Sequence, residues 1–471
     1  MDYEREGLLL QKTAQEPLDH EIFGSFEDAH KDLRAVYKEL TPSSEKKDFA
    51  KESWPLGINA DLSNDKLNAK GLLNYRSNLR VWKKELLENQ NIDADIKQLY
   101  RWRINEDIAS VGMLISSRAG DMTSFRRWNE FIYGKPNEDI YKAALDWVAT
   151  DAEKILSVEN QSPVVVDAAE KVADMLKGKR GQLDILIPDI DVFERVRENH
   201  MNPVGYYGLL LAGIERPKDK KISNEVGDVI LKDIVKNNLQ SDYEIVDASS
   251  SSWSVSHGIN GENGKIERPK AYNLPVERFF GLIGHEVGSH LLEKVNGDRG
   301  PLQLASDGLD RYELGNEGRA VIREQVQYET FDEFGKLVRW RDILRRHIAI
   351  SYACGVGENN PIESSKVYEF MNTIDTMYQT RATPDKSQEE IKAKAAEKTS
   401  SLLLRVLKGT DGNGGAYYKD KVYLEGVVSN WLTASVKGPD AISDGDLGKF
   451  DINNPRHIIA LQKIGLLPNN E

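Results

Sequence analysis

Cysteine is almost missing from this 471-residue chain, in which Cys354 stands alone. No internal disulfide can form, and a reducing compartment suits such a composition. Long apolar runs are missing too: none approaches the ~18 residues that a membrane span needs. Positive charge is in deficit, with 63 Lys and Arg against 76 Asp and Glu for a net charge of −13. That balance offers no broad surface to neutralise a phosphate backbone. The opening MDYEREGLLLQK begins acidic and holds three consecutive leucines, unlike a secretory signal. No repeat of fixed period stands out. The expectation is a soluble, cytoplasmic chain with no nucleic-acid and no membrane partner, and its length is ample to bury a core.

Histidine is scarce as well, eight in all, yet two of them lie five residues apart with a glutamate between. His285, Glu286 and His290 sit in the stretch FFGLIGHEVGSHLLEKVNG. Imidazole and carboxylate are the ligands of catalytic zinc, three from the protein with a fourth position for water. A glutamate beside the first histidine is placed to take a proton from that water. The spacing is unusual. In H-E-x-x-H the histidines are four apart and share a helix face. At 3.6 residues per turn, a fifth residue is rotated by about 140°. An i→i+5 π-bulge restores the alignment, and such bulges gather at functional sites. Gly288 tolerates the required backbone. The spacing therefore predicts a helix from Val276 to Glu293, widened near Val287 to Ser289 and buried by Phe279, Phe280, Leu282, Ile283, Leu291 and Leu292. Further on, Asn316 reads as a helix N-cap and Glu317 as the acid that opens the helix, favoured there by the helix dipole.

These residues carry a resemblance. His285-Glu286-Val287-Gly288-Ser289-His290, then Asn296-Gly297, Gly300-Pro301-Leu302, Gly308-Leu309 and Asn316-Glu317-Gly318-Arg319-Ala320 resemble the motif blocks of the tyrosine/phenylalanine carboxypeptidase family. That family includes the relatives of the microtubule-associated tyrosine carboxypeptidase and the bacterial QEGLA-motif proteins. A second block, Arg405-Val406-Leu407-Lys408-Gly409 through Lys419-Asp420-Lys421-Val422-Tyr423-Leu424-Glu425-Gly426, is similar to a later element of the same family, and Tyr133-Gly134-Lys135-Pro136 to an earlier one. The resemblance implies a zinc carboxypeptidase of gluzincin type acting on a peptide or protein C-terminus that ends in an aromatic residue. By the resemblance, one Zn2+ would be held by His285, His290 and Glu317, with Glu286 as general base. Lys419, Tyr423 and Arg405 become candidates for the substrate's terminal carboxylate, because their block accompanies the zinc block. Tyr423 or Arg311 is the expected oxyanion donor. Two positions depart from the pattern: Asn316 replaces Gln, and Arg319 replaces Leu and brings a cation toward the pocket. The rival readings are a peptide-end-binding protein with a non-catalytic metal site, and an endo- or aminopeptidase on the same zinc chemistry.

The rest of the chain reads as α+β and mostly helical, a zincin-like part with a small sheet ahead of the H-E helix. Residues 1–62 form an N-terminal extension with a helix from Phe26 to Leu40. Residues 63–160 are a helical region, with Trp102, Trp128, Phe131 and Trp147 spaced for a core. The zincin-like part covers 161–436 and a tail with a short helix covers 437–471. Leu183 to Ile187 reads as a strand stopped by Pro188, and Ile222 to Asn237 as a helix. Strands follow at Tyr243–Val246, Trp253–Ile259 and Lys265–Pro269, with turn chemistry between the last two. Their edge is expected to border the cleft, where it can receive an extended peptide. His257, on the second strand, is a candidate substrate contact.

Overall fold

The computed structural model describes residues 17–38, 69–159, 161–200, 221–248, 253–256, 264–328, 340–358, 360–379 and 387–468. His257 lies outside them, as do the Trp54-Pro55-Leu56-Gly57 stretch, which the sequence marks as a turn, and Arg339, which the sequence groups with Arg341, Arg345 and Arg346 in a basic patch. Among the described residues helices dominate, with a small three-stranded mixed sheet and a separate two-stranded pair. The N-terminal helices are α1 (His20–Lys38), α2 (Ala69–Glu88), α3 (Ala94–Arg118), α4 (Met122–Tyr133), α5 (Glu138–Leu156), α6 (Pro163–Met175) and α7 (Ile190–His200). Asp93, Asp121 and Asn137 cap α3, α4 and α5 through their side chains, satisfying backbone N–H groups that have no partner within the helix.

The expected strand at Leu183–Ile187 is instead a 3-10 turn over Leu183–Leu186. A five-residue apolar run does not distinguish a strand from a buried helical turn, and here it packs against α5 rather than joining a sheet. The predicted helix at Ile222 gives its first residues to β1 (Lys221–Ser223), then runs as α8 (Asn224–Asp233) into a π turn, Ile234–Asn238.

The three strands expected ahead of the H-E helix are present as β2 (Glu244–Ala248), β3 (Ser254–Ser256) and β4 (Lys265–Pro269), in the order β2-β4-β3. β4 runs parallel to β2 and antiparallel to β3. A separate two-stranded pair joins β1 to β5 (Asn273–Pro275). Arg268 ties this layer down, donating to both carboxylate oxygens of Asp228 at 2.8 and 2.7 Å. Ile266, Trp253, Phe279, Phe280, Ile283, Val287, Leu291 and Val295 form one buried cluster, so sheet and H-E helix share a core.

That helix begins as α9 (Val276–His285), becomes a π-helical turn over Glu286–Leu291, and continues as α10 (Leu292–Arg299). The predicted widening is therefore borne out, a residue or two broader than expected on each side. Next come α11 (Leu304–Asp307), α12 (Glu313–Tyr328), α13 (Trp340–Ala353), α14 (Ser364–Met377), α15 (Gln388–Val406), α16 (Lys421–Lys437) and α17 (Pro455–Lys463). No described helix is long and apolar enough to cross a membrane.

α12 begins at Glu313, one turn ahead of the expected cap at Asn316. Asn316 is buried, and its amide donates to Glu293 of α10 instead. α12 packs on α16 at a point where two glycines face each other. A Cβ on Gly318 would strike the backbone of Gly426, and one on Gly426 would strike the carbonyl of Leu314. The two separated sequence blocks thus meet at their glycines, which brings Glu317 and Tyr423 to one side of the crossing.

Candidate metal centre

His285, His290 and Glu317 present donor atoms that all lie within 4.8 Å of one another. Glu317 Oε2 stands 3.9 Å from His285 Nε2 and 3.6 Å from His290 Nε2. The imidazoles are nearly perpendicular, with centroids 5.1 Å apart. The π turn produces this arrangement: Ser289 Oγ donates to Gly284 O at 3.0 Å, across five residues, and Arg323 of α12 donates to the Gly288 carbonyl. Arg323 also donates to Asp446, so the widened turn is clamped from outside the helix.

The donor set fits zinc. Glu317 Oε2 is buried and accepts no hydrogen bond from the described residues, although both imidazole nitrogens face it at distances too long for a good one. Unpaired buried carboxylate oxygens are costly, and a shared cation is the compensation that this geometry suits. Burial opposes ionisation of Glu317, yet His290, His285 and Lys419 outweigh it and hold the carboxyl at about 2. Burial likewise opposes a charge on His285, but Glu324, Glu286 and Glu317 together raise it to about 9. Glu286 lines the same space. Burial raises its pKa, with His285 and His290 pulling the other way.

Sequence reasoning missed Glu324. It lies seven residues after Glu317 on α12, two helical turns along the same stripe, with its Oε2 3.4 Å from His285 Nδ1. One helix therefore supplies a carboxylate to each side of the His285 ring. The i,i+7 spacing was visible, but nothing local separated Glu324 from an ordinary surface acid.

Of the other expected residues, Tyr423, Lys419 and Arg405 all lie close enough to Glu317 to feel its charge. Lys419 is bonded to Glu313 at 2.7 Å, and Arg405 grips Asp420 with Nε and Nη2. Burial and the Glu317 carboxylate push the Tyr423 phenol upward, so it stays protonated.

Two expectations need correction. Arg319 does not face the pocket: it is 0% exposed, paired with Glu293 at 2.5 Å, and donates to the carbonyls of Gly445 and Phe450 at 3.0 and 3.2 Å. A buried guanidinium needs acceptors on several sides, and Glu293 of α10 with the backbone at Gly445 and Phe450 supplies them. Arg311 turns its side chain to Asp310, lies over the Phe131 ring and lines another cavity with Glu106 and Arg456.

A cavity of about 500 Å³ opens on His285 and Glu286. Its walls include Trp253, Tyr272, Asn273, Leu274, Leu282 and Glu324, so the strand that borders the cleft is β5 of the separate two-stranded pair, and the expected three-strand sheet reaches it only through Pro269 at the end of β4. No family model matches this chain, and a search of curated proteins finds no match either.

Proposed function

We propose that this chain is a zinc-dependent metallopeptidase, a carboxypeptidase that removes a C-terminal aromatic residue from a peptide or protein in the cytoplasm. The observation that carries the reading is the convergence of His285, His290 and Glu317 beside Glu286, which is half-buried and lines the adjoining cavity. The motif resemblance to the tyrosine/phenylalanine carboxypeptidases supplies the finer part.

His285, His290 and Glu317 would hold the zinc. Bound there, the ion would acidify a water and polarise the scissile carbonyl. Glu286 takes the proton from the water and returns it to the departing amine, and its raised pKa makes it a stronger base for the task. Tyr423, kept protonated, donates a hydrogen bond to the oxygen that gains charge. Leu282 and Leu274 give the cavity beside His285 and Glu286 an apolar wall.

The test is zinc content by elemental analysis, followed by incubation with peptides ending in Tyr or Phe as free acids and as amides. One zinc per chain, release of the last residue from the acids alone, and its loss in Glu286→Gln support the reading. Equal cleavage of acid and amide points to an endopeptidase. A zinc-loaded protein that binds but never cleaves is a peptide-end binder. Absence of zinc removes the mechanism.

A further inference from the structure

A carboxypeptidase must hold the terminal carboxylate of its substrate within about one residue of the scissile carbonyl, a span of roughly 3.3–3.6 Å in extended chain. The cations nearest Glu317 are already neutralised: Lys419 by Glu313 at 2.7 Å, and Arg405 by Asp420. Either would have to leave its carboxylate to take another. Arg278 stands differently. It is exposed, lines the same cavity as His285 and Glu286, and makes no ion pair among the described residues.

Its register points the same way. Arg278 precedes His285 by seven residues on α9, a rotation of 700°, within about 20° of two full turns. The two share a helix stripe about 10 Å apart along the axis, and Leu282 lies between them on the cavity wall. Cα–Cβ bonds tilt toward the helix N-terminus at both positions, so the tilt leaves their separation unchanged, and it is the shared cavity that both side chains reach. An arginine side chain together with one substrate residue covers that length. Glu286 and Glu324 line the cavity too, so an incoming anion requires a cation to offset them.

We propose that Arg278 grips the substrate's terminal carboxylate, while that residue's bulky apolar side chain sits among Trp253, Tyr272, Leu274 and Leu282. This rests on the carboxypeptidase reading and assigns its anchor. Guanidinium is suited to the role, since it meets a carboxylate with two parallel hydrogen bonds.

The experiment uses zinc-loaded Glu286→Gln protein, which binds without turnover, and an N-acetylated peptide ending in Phe, as free acid and as amide, by calorimetry. Adding Arg278→Gln is expected to weaken the free acid about tenfold or more, the effect of one charged hydrogen bond, and to leave the amide unchanged. Arg278→Lys restores part of the difference. Because Arg278 is exposed, its thermal midpoint serves as the folding control. If the Arg278→Gln protein still prefers acid to amide as strongly as its parent, the proposal is overturned and Lys419 or Arg405 is the anchor. If the parent itself binds acid and amide alike, the carboxypeptidase reading falls together with its anchor.

Discussion

Gly318 and Gly426 touch backbone to backbone where α12 crosses α16, and neither position has room for a Cβ. Gly318 follows Glu317 directly, and Gly426 lies one turn beyond Tyr423. Closeness at this crossing sets how near the phenol comes to the carboxylate.

Gly318→Ala and Gly426→Ala are therefore expected to cost about 1–3 kcal/mol each, the usual penalty for overpacking. Urea unfolding measures this. Zinc affinity by chelator competition should fall alongside, because the helix that carries Glu317 must shift. An unchanged midpoint would show that the crossing relaxes freely.

Glu324 facing His285 Nδ1 makes a second prediction. A carboxylate on the outer nitrogen fixes the tautomer that leaves Nε2 free for metal, and losing such a partner typically costs 10–100-fold in metal affinity. Glu324→Ala should lose zinc affinity in that range. Glu324→Gln, which still accepts a hydrogen bond, should lose less. The absorption of the cobalt-substituted protein should shift in the alanine variant, a change that packing loss alone does not produce.

Arg323 is the clamp on the π turn. Arg323→Met leaves Asp446 buried without its partner and the Gly288 carbonyl without its donor. Breaking a buried pair in this way costs about 3–5 kcal/mol. Pairing it with Asp446→Leu should recover part of that loss, so a double-mutant cycle in urea separates the ion pair from the carbonyl contact.

The pH dependence of stability should carry a mark from Glu106. Burial raises its pKa from the ordinary 4.5 to about 7, Arg103 and the Arg311 backbone opposing it. Between those values the unfolded chain has released the proton and the folded one keeps it, so unfolding gains as pH rises. The contribution is neutral below pH 4.5, grows through the window and is complete above pH 7. Glu106→Gln should therefore gain in thermal midpoint over the parent between pH 5 and pH 8. A constant difference would contradict the assignment.

The π turn was legible in the sequence because two histidines five apart can share an ion only if the helix widens. The fold class was legible for a related reason: apolar spacing changed from helical to alternating just before the H-E helix. Other features depended on partners remote in sequence. Leu183–Ile187 and Asn316 were misread because their roles are set by α5 and by Glu293. Arg319 looked like a pocket cation because its acceptors, Gly445 and Phe450, lie more than a hundred residues away.

The extra residue in the π turn has an effect beyond the two imidazoles. Each added residue turns the downstream helix by about 100°. Deleting Gly288 would recreate the common four-residue spacing, and the histidines could still converge. The damage would fall instead on α10, where Glu293 would swing away from Arg319 and Asn316 and strand a guanidinium in the interior. The unusual register is thus enforced by what lies past the ligands, and reverting to the familiar one is closed off by the protein's own interior.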